Sequence, residues 1–146
     1  MYNVLKEIHS GWAYLVLLML GFVVLNSLRG FNSGKEFSSR DRKIALFGLI
    51  VTHIQLLFAM LLYFTSPYFQ TMKDVGMGGI MGNSLLRLYL IEHPFVNIVA
   101  IILITVGWSK HKTKATDKEK FKSILLMYSI ALVLFLSRIP WKAWLS

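Results

Sequence analysis

The 146-residue chain contains no cysteine. This absence excludes disulfides, thiol catalysis, iron–sulfur clusters and covalently attached c-type haem. Acidic residues are scarce: the chain contains seven Asp and Glu and sixteen Lys and Arg. The motifs of nucleotide binding and hydrolysis are missing as well, since no phosphate-binding glycine loop, HExxH or GxSxG pattern occurs. Nucleotide-dependent and hydrolytic chemistry is therefore not expected of this protein.

Apolar residues are what the chain has in abundance, and AVILMFWYC make up 55% of it. They concentrate in four runs, at about residues 11–28, 44–65, 88–108 and 123–141. Each run is close to the ~20 residues that a helix needs to cross the hydrocarbon of a bilayer. We therefore predict an all-α polytopic membrane protein, in which residues 1–146 form a single bundle of four transmembrane helices.

The basic residues are concentrated between the apolar runs. Residues 29–43 carry five Lys and Arg and residues 110–122 carry six, which leaves five for the rest of the chain. The positive-inside rule then places loops 29–43 and 109–122 in the cytoplasm and both termini outside. The net charge of +9 is therefore explained by the orientation of the helices in the membrane. We accordingly expect the lipid bilayer, and no nucleic acid, as a partner.

Ionisable side chains inside or beside the apolar runs are the candidate functional residues. His53 lies near the middle of the second run, where an imidazole needs a partner or a ligand. With the predicted topology, His9 lies at the outer surface, and Arg87 and His93 lie in the outer third of the third helix. Arg138, near the end of the fourth run, reaches the same level. Three helices thus bring imidazoles and guanidinium groups toward one side.

This set of residues is typical of a b-type haem site in a helical bundle. Such a site needs axial imidazoles from facing helices and basic partners for the propionates. His9, His53 and His93 are the candidate axial ligands, and Arg87 and Arg138 are the candidates for the propionates. In straight helices His53 and His93 would differ in height by roughly 10 Å. His9 and His93 match better in height, so the ligating pair stays open.

Each of these residues also has a purely structural interpretation. His9 could be an ordinary interfacial residue, and Arg87 and Arg138 could extend to lipid head groups. His53 could be a neutral imidazole that bonds a backbone carbonyl or a hydroxyl of a neighbouring helix. His111 stands among lysines and is expected to be solvated.

Proline at position 94 predicts a distortion of the third helix. It leaves the carbonyl of Leu90 without its usual helical donor. A nearby polar group is expected to serve the kink, and His93 or Glu92 are the candidates.

The segment between the second and third runs offers a copper alternative. It contains Met72, Met77 and Met81 among several glycines. Thioethers and imidazoles suit copper, although these methionines have no tight ligand spacing. The same glycine-rich loop could equally be a flexible cap or an access lid.

Four short segments carry a family resemblance: HSGW (9–12), THIQLL (52–57), IEHPF (91–95) and SRIPW (137–141). They resemble those of small four-helix bacterial membrane proteins described as cytochrome b-like, and more loosely the copper-resistance-D-like proteins. The resemblance implies a multi-pass protein of the bacterial inner membrane that binds haem b. It also implies that the three histidines in these segments, with Arg138, form the haem site.

The favoured function is that of a haem-b-binding electron-transfer protein, which moves single electrons between a quinol or another donor and a partner. One alternative is a non-catalytic accessory subunit of a membrane complex, with respiratory or assembly subunits as partners. Another is membrane transport of copper or a small molecule. In each case a carrier or a subunit is expected rather than a stand-alone enzyme.

Overall fold

A computed structural model describes residues 1–145, and these residues form helices with no strand among them. In chain order the helices are α1 (Tyr2–Ser33), α2 (Ser39–Thr65), α3 (Pro67–Met81), α4 (Ser84–His111), α5 (Asp117–Ser137) and α6 (Trp141–Leu145). Helices α1, α2, α4 and α5 are long and apolar enough to cross a membrane. The prediction of an all-α bundle with four spans is confirmed.

The helices α2 and α5 begin outside the apolar runs, at side chains that cap them. The Ser38 hydroxyl accepts a hydrogen bond from the Asp41 backbone N–H, and the Asp41 carboxylate accepts from the Ser38 backbone N–H. This reciprocal capping box starts α2 within the charged segment. Thr116 caps α5 in a similar way, by accepting from the Glu119 N–H at 3.2 Å. Charged residues thus extend the helices beyond the hydrocarbon-length core.

The fourth span ends earlier than predicted. Helix α5 stops at Ser137 rather than near residue 141, and Arg138 adopts φ −125° and ψ 19°. Pro140 disfavours helical geometry in the residue before it, which explains the break. The chain then continues into the short helix α6, whose Trp144 ring packs on Tyr14 of α1 at 4.6 Å.

The four spans form a ring in which α1 packs against α2 and α5, and α4 packs against α5. The contact between α2 and α4 is the loosest of the ring. The core contains Val16, Leu20, Val23, Ala100, Ile104, Ile124, Tyr128 and Ala131. Across this core, the buried Tyr128 hydroxyl of α5 donates to the Ala45 carbonyl of α2 at 2.8 Å.

Glycines set the close approach of α1, α4 and α5. A Cβ atom on Gly30 of α1 would lie 2.3 Å from the Phe121 ring of α5. A Cβ atom on Gly107 of α4 would lie 2.6 Å from the Met127 Cβ. Small residues at such crossings let helix backbones pack closely in membranes.

Helix α4 contains a π-helical turn, Leu88–Glu92, immediately before Pro94. The Leu90 carbonyl, which Pro94 deprives of its helical donor, accepts a hydrogen bond from the Tyr63 hydroxyl of α2 at 3.0 Å. The expectation that His93 or a neighbouring carboxylate serves this carbonyl is therefore wrong. A tyrosine on the facing helix reaches it, because α2 runs alongside the kink.

The methionine segment is helical, so the prediction of a loop there is wrong. Helix α3 starts at Pro67, and the Ser66 hydroxyl caps it by accepting from the Tyr68 N–H at 3.1 Å. Proline at the first helical position and serine before it are common start signals. The glycines produce a kink within the helix, at Gly76 with φ 69°.

Candidate functional site

His9 of α1 and His93 of α4 face each other near one end of the bundle. Their ring centroids are 6.1 Å apart, and the ring planes are inclined at 80°. We call this the histidine end, defined by His9, His93 and Arg138. The opposite end carries the two lysine- and arginine-rich loops and is called the basic end. The height match expected for this pair of histidines is observed.

Hydrogen bonds fix the orientation and the tautomer of His93. Its Nδ1 lies 2.8 Å from the Arg138 carbonyl oxygen, just past the end of α5. Because a carbonyl can only accept, Nδ1 carries the proton and Nε2 keeps a lone pair. The Asn97 amide nitrogen lies 3.3 Å from Nδ1 and 3.2 Å from Nε2, so it contacts the face of the ring. The ring is therefore held by α5 on one side and by its own helix on the other.

Three buried polar atoms around this pair have no hydrogen-bond partner: His9 Nδ1, Gln55 Oε1 and Asn97 Oδ1. Gln55 belongs to the same cluster, since its amide nitrogen donates to the His9 carbonyl at 2.8 Å. Buried polar groups are nearly always paired in proteins. A cluster with three unpaired atoms is therefore a candidate place for a polar or metal-bearing ligand.

Sequence reasoning missed Gln55 as a member of this site. The only signal was its position two residues after His53, as an amide within an apolar run. An α-helix turns about 100° per residue, so these two side chains point to different sides. Gln55 faces α1, whereas His53 faces α4.

A cluster of charged side chains lies at the histidine end. The Glu92 carboxylate lies 3.0 Å from Arg87 Nε and 3.9 Å from Arg138 Nε. Arg87 also donates to the Met81 carbonyl at 2.8 Å, which ties the end of α3 to α4. Both arginines are partly exposed. The two guanidinium groups predicted to lie together do so, and they share one carboxylate.

His53 is not brought together with the other two histidines. Its Nδ1 lies 2.8 Å from the Leu49 carbonyl, and its Nε2 lies 3.4 Å from the Thr105 hydroxyl of α4. The helical rise between His93 and Thr105 is about 18 Å. The antiparallel register of α2 and α4 thus places His53 far below His93. Its contacts are those expected of a helix-packing residue at the looser α2–α4 contact.

His111 is buried, so the expectation that it is solvated is wrong. It is only 2% exposed, and its Nδ1 donates to the Trp108 carbonyl. The ring contacts Trp108 at 4.6 Å and Phe37 at 5.4 Å between centroids. Its burial could have been predicted from helical spacing, because Ile104, Trp108 and His111 fall on one face of α4.

No group of three or more His, Cys, Asp or Glu residues is arranged to hold a metal ion within residues 1–145. Comparisons of the chain with protein-family models, curated proteins and solved structures found no match. The resemblance to cytochrome b-like proteins stays a prediction based on four short segments. The facing imidazoles of His9 and His93, with the unpaired atoms beside them, are the feature from which a function can be argued.

Proposed function

We propose that this protein is an integral membrane b-type cytochrome, with His9 and His93 as the axial ligands of one haem and single-electron transfer as its role. The observation that carries the proposal is the 6.1 Å separation of the two imidazole rings. With metal–nitrogen bonds of about 2 Å, two imidazoles on one metal have ring centres roughly 6 Å apart. The porphyrin supplies the other nitrogen ligands, so two histidines suffice.

The hydrogen bonds of the site support this assignment. A ligating histidine commonly donates its other ring N–H to a carbonyl or carboxylate, as His93 does to Arg138. His9 Nδ1 is buried without a partner. The loose contact between α2 and α4 is the side on which a flat macrocycle would enter.

The charges and the topology support the placement of the haem near the membrane surface. Arg87 and Arg138 stand at the histidine end and would pair with the propionates in competition with Glu92. The positive-inside rule places this end on the outer side of a bacterial inner membrane and the basic end in the cytoplasm. A quinol or a respiratory subunit in the same membrane would exchange electrons with the haem.

A reduced-minus-oxidised absorbance spectrum, with a pyridine haemochrome assay, tests the proposal on detergent-purified protein produced with ample haem. We expect a b-type signal near one haem per chain. His9→Ala and His93→Ala should each abolish the low-spin signal, and His53→Ala should keep it, because His53 bonds elsewhere. Haem that persists in both of the first two variants, or that disappears only with His53, would contradict the assignment.

A second candidate is a non-catalytic accessory subunit, and the contacts of His53 favour it. The Leu49 carbonyl accepts from its Nδ1, and its Nε2 lies 3.4 Å from the Thr105 hydroxyl of α4, as a packing role requires. Large apolar side chains are exposed along all four spans and would contact lipid or another subunit. A folded, monodisperse and colourless preparation from haem-supplied cells would establish this candidate over the cytochrome.

A further inference from the structure

A pocket of about 300 Å³ lies at the basic end, far from the paired histidines. The start of α2, the end of α4 and the start of α5 line it, so both basic loops contribute to it. Three of its lining residues are the cations Arg42, Lys112 and Lys120. Two segments that are far apart in sequence therefore combine their positive charge in one cavity.

Within residues 1–145, no carboxylate forms a salt bridge with these three cations. The salt bridges within residues 1–145 involve other basic residues, and none includes Arg42, Lys112 or Lys120. Asp41 is next to Arg42 in sequence, but it is only 2% exposed and lies 3.0 Å from Lys35 Nζ. The nearest buried acid is thus already paired, and the pocket keeps an excess of positive charge.

Two of the cations, Arg42 and Lys112, contact the indole ring of Trp108. Arg42 lies 5.2 Å and Lys112 lies 5.1 Å from the centre of the indole ring, distances at which a cation and a ring attract each other. The indole is itself 7% exposed and packed in the core. Arg42 and Lys112 thus lie against one buried aromatic ring while their residues stay exposed to solvent.

The location of the pocket favours an interfacial anion. It lies where three membrane-spanning helices leave their apolar runs, and Phe37 and the buried His111 form part of its wall. Ser38 and Ser39 bring the N-terminal turn of α2 to the pocket, and the positive end of a helix dipole favours negative charge. A ligand here would have an anionic group beside the cations and an apolar part against the membrane.

A neighbouring cavity of about 400 Å³ provides a contrast. Lys118 and Lys122 line it, but so does Glu119. A carboxylate in the wall opposes the binding of an anion, and Lys118 lies over the Phe31 ring at 4.9 Å. The pocket of Arg42, by contrast, combines three cations with a wall that has no acid.

We propose that the pocket lined by Arg42, Lys112 and Lys120 binds the phosphate group of an anionic phospholipid in the leaflet at the basic end. Basic pockets between membrane helices are suited to such head groups, and a guanidinium can engage a phosphate with two parallel hydrogen bonds. The glycerol and acyl chains would lie against the apolar ends of the spans. This site is independent of the proposed haem.

Native mass spectrometry of the full-length, detergent-purified chain tests the proposal with phosphatidylglycerol as the probe. Phosphatidylcholine, which has no net charge, and inorganic phosphate serve as comparison ligands. We expect one retained phosphatidylglycerol with clear preference over phosphatidylcholine. The triple variant Arg42→Gln, Lys112→Gln, Lys120→Gln should weaken retention at least about tenfold, since each basic residue near an anionic lipid surface contributes to binding.

A matched control removes the same charge outside the two pockets. The variant Arg29→Gln, Lys110→Gln, Lys114→Gln changes exposed residues of the same loops. It should retain the lipid within about twofold, because these side chains do not line the pocket and, being exposed, are screened by solvent and salt.

Equal weakening in the pocket and control variants would overturn the proposal, since binding would then follow total charge. Equal retention of phosphatidylcholine would also overturn it. Displacement of the lipid by equimolar inorganic phosphate would identify free phosphate as the ligand instead. If the triple variant does not fold, Lys120→Gln is compared with Lys114→Gln, and equal retention of lipid by these two single variants would overturn the proposal.

Discussion

Replacing Gly30 by alanine tests how α1 and α5 approach each other. The added Cβ would lie 2.3 Å from the Phe121 ring. That ring is fully buried and packs edge-on against Phe37 at 4.9 Å, with Lys35 over its face. It cannot turn away without disturbing these contacts, so the helices must separate or the ring must leave its position.

The expected cost follows from a comparison within the same helix. Gly21→Ala makes the same change in α1, where nothing lies within 4 Å of the new Cβ. Helix propensity favours alanine by up to about 1 kcal/mol at both sites, and this gain cancels in the comparison. Overpacking costs about 1–3 kcal/mol, and the severe overlap at Gly30 places it in the upper half of that range. Gly30→Ala should therefore be about 2–3 kcal/mol less stable than Gly21→Ala.

Reversible unfolding in mixed detergent, followed by tryptophan fluorescence, measures this difference. Phe121→Leu should remove the obstacle, so that adding Gly30→Ala to it costs less than about 1 kcal/mol and a double-mutant cycle shows strong coupling. Equal stabilities of Gly30→Ala and Gly21→Ala, or a cycle without coupling, would refute the argument that close packing at Phe121 joins α1 to α5.

The same unfolding assay tests three other contacts. Tyr63→Phe leaves the Leu90 carbonyl without a donor and should cost about 1 kcal/mol, and a value near zero would mean that another group replaces the hydroxyl. Asp41→Asn should cost about 1–3 kcal/mol, because the buried carboxylate accepts from several donors at the start of α2, and an unchanged midpoint would contradict this role. His53→Ala and Thr105→Val should show a coupling of only about 0.6 kcal/mol, and a coupling above about 2 kcal/mol would argue against a simple packing contact.

The four spans could be predicted from the sequence because the bilayer fixes the length of an apolar helix. The apolar runs alone do not give the helix ends, since a helix continues into water until its caps end it. The capping sequences at Ser38 and Thr116 were visible and would have placed the starts of α2 and α5 correctly. The start of α3 was also predictable, because Ser66 and Pro67 are common signals for the start of a helix.

The candidate site was only partly predictable. The matching height of His9 and His93 followed from depth, because both lie near the starts of α1 and α4, which run in the same direction; that the two rings face each other did not follow from the sequence. The partner of His53 depends on the register of α2 against α4, and side-chain packing sets that register. The burial of His111 was not predicted, because its neighbours in sequence are lysines. Its side chain nevertheless lies on the buried face of α4.

The π turn of α4 determines which charges can pair at the histidine end. Arg87 and Glu92 are five positions apart. In a regular α-helix, that spacing separates two side chains by about 140° around the axis. In a π-helical turn residues i and i+5 come together, and so the guanidinium meets the carboxylate. If Leu88–Glu92 became a regular α-helix with no residue removed, Arg87 and Glu92 would stand about 140° apart, and Arg87, with its bond to α3, would leave the carboxylate. Through Arg87, the π turn thus connects the kinked helix α3 to the charge cluster at the histidine end.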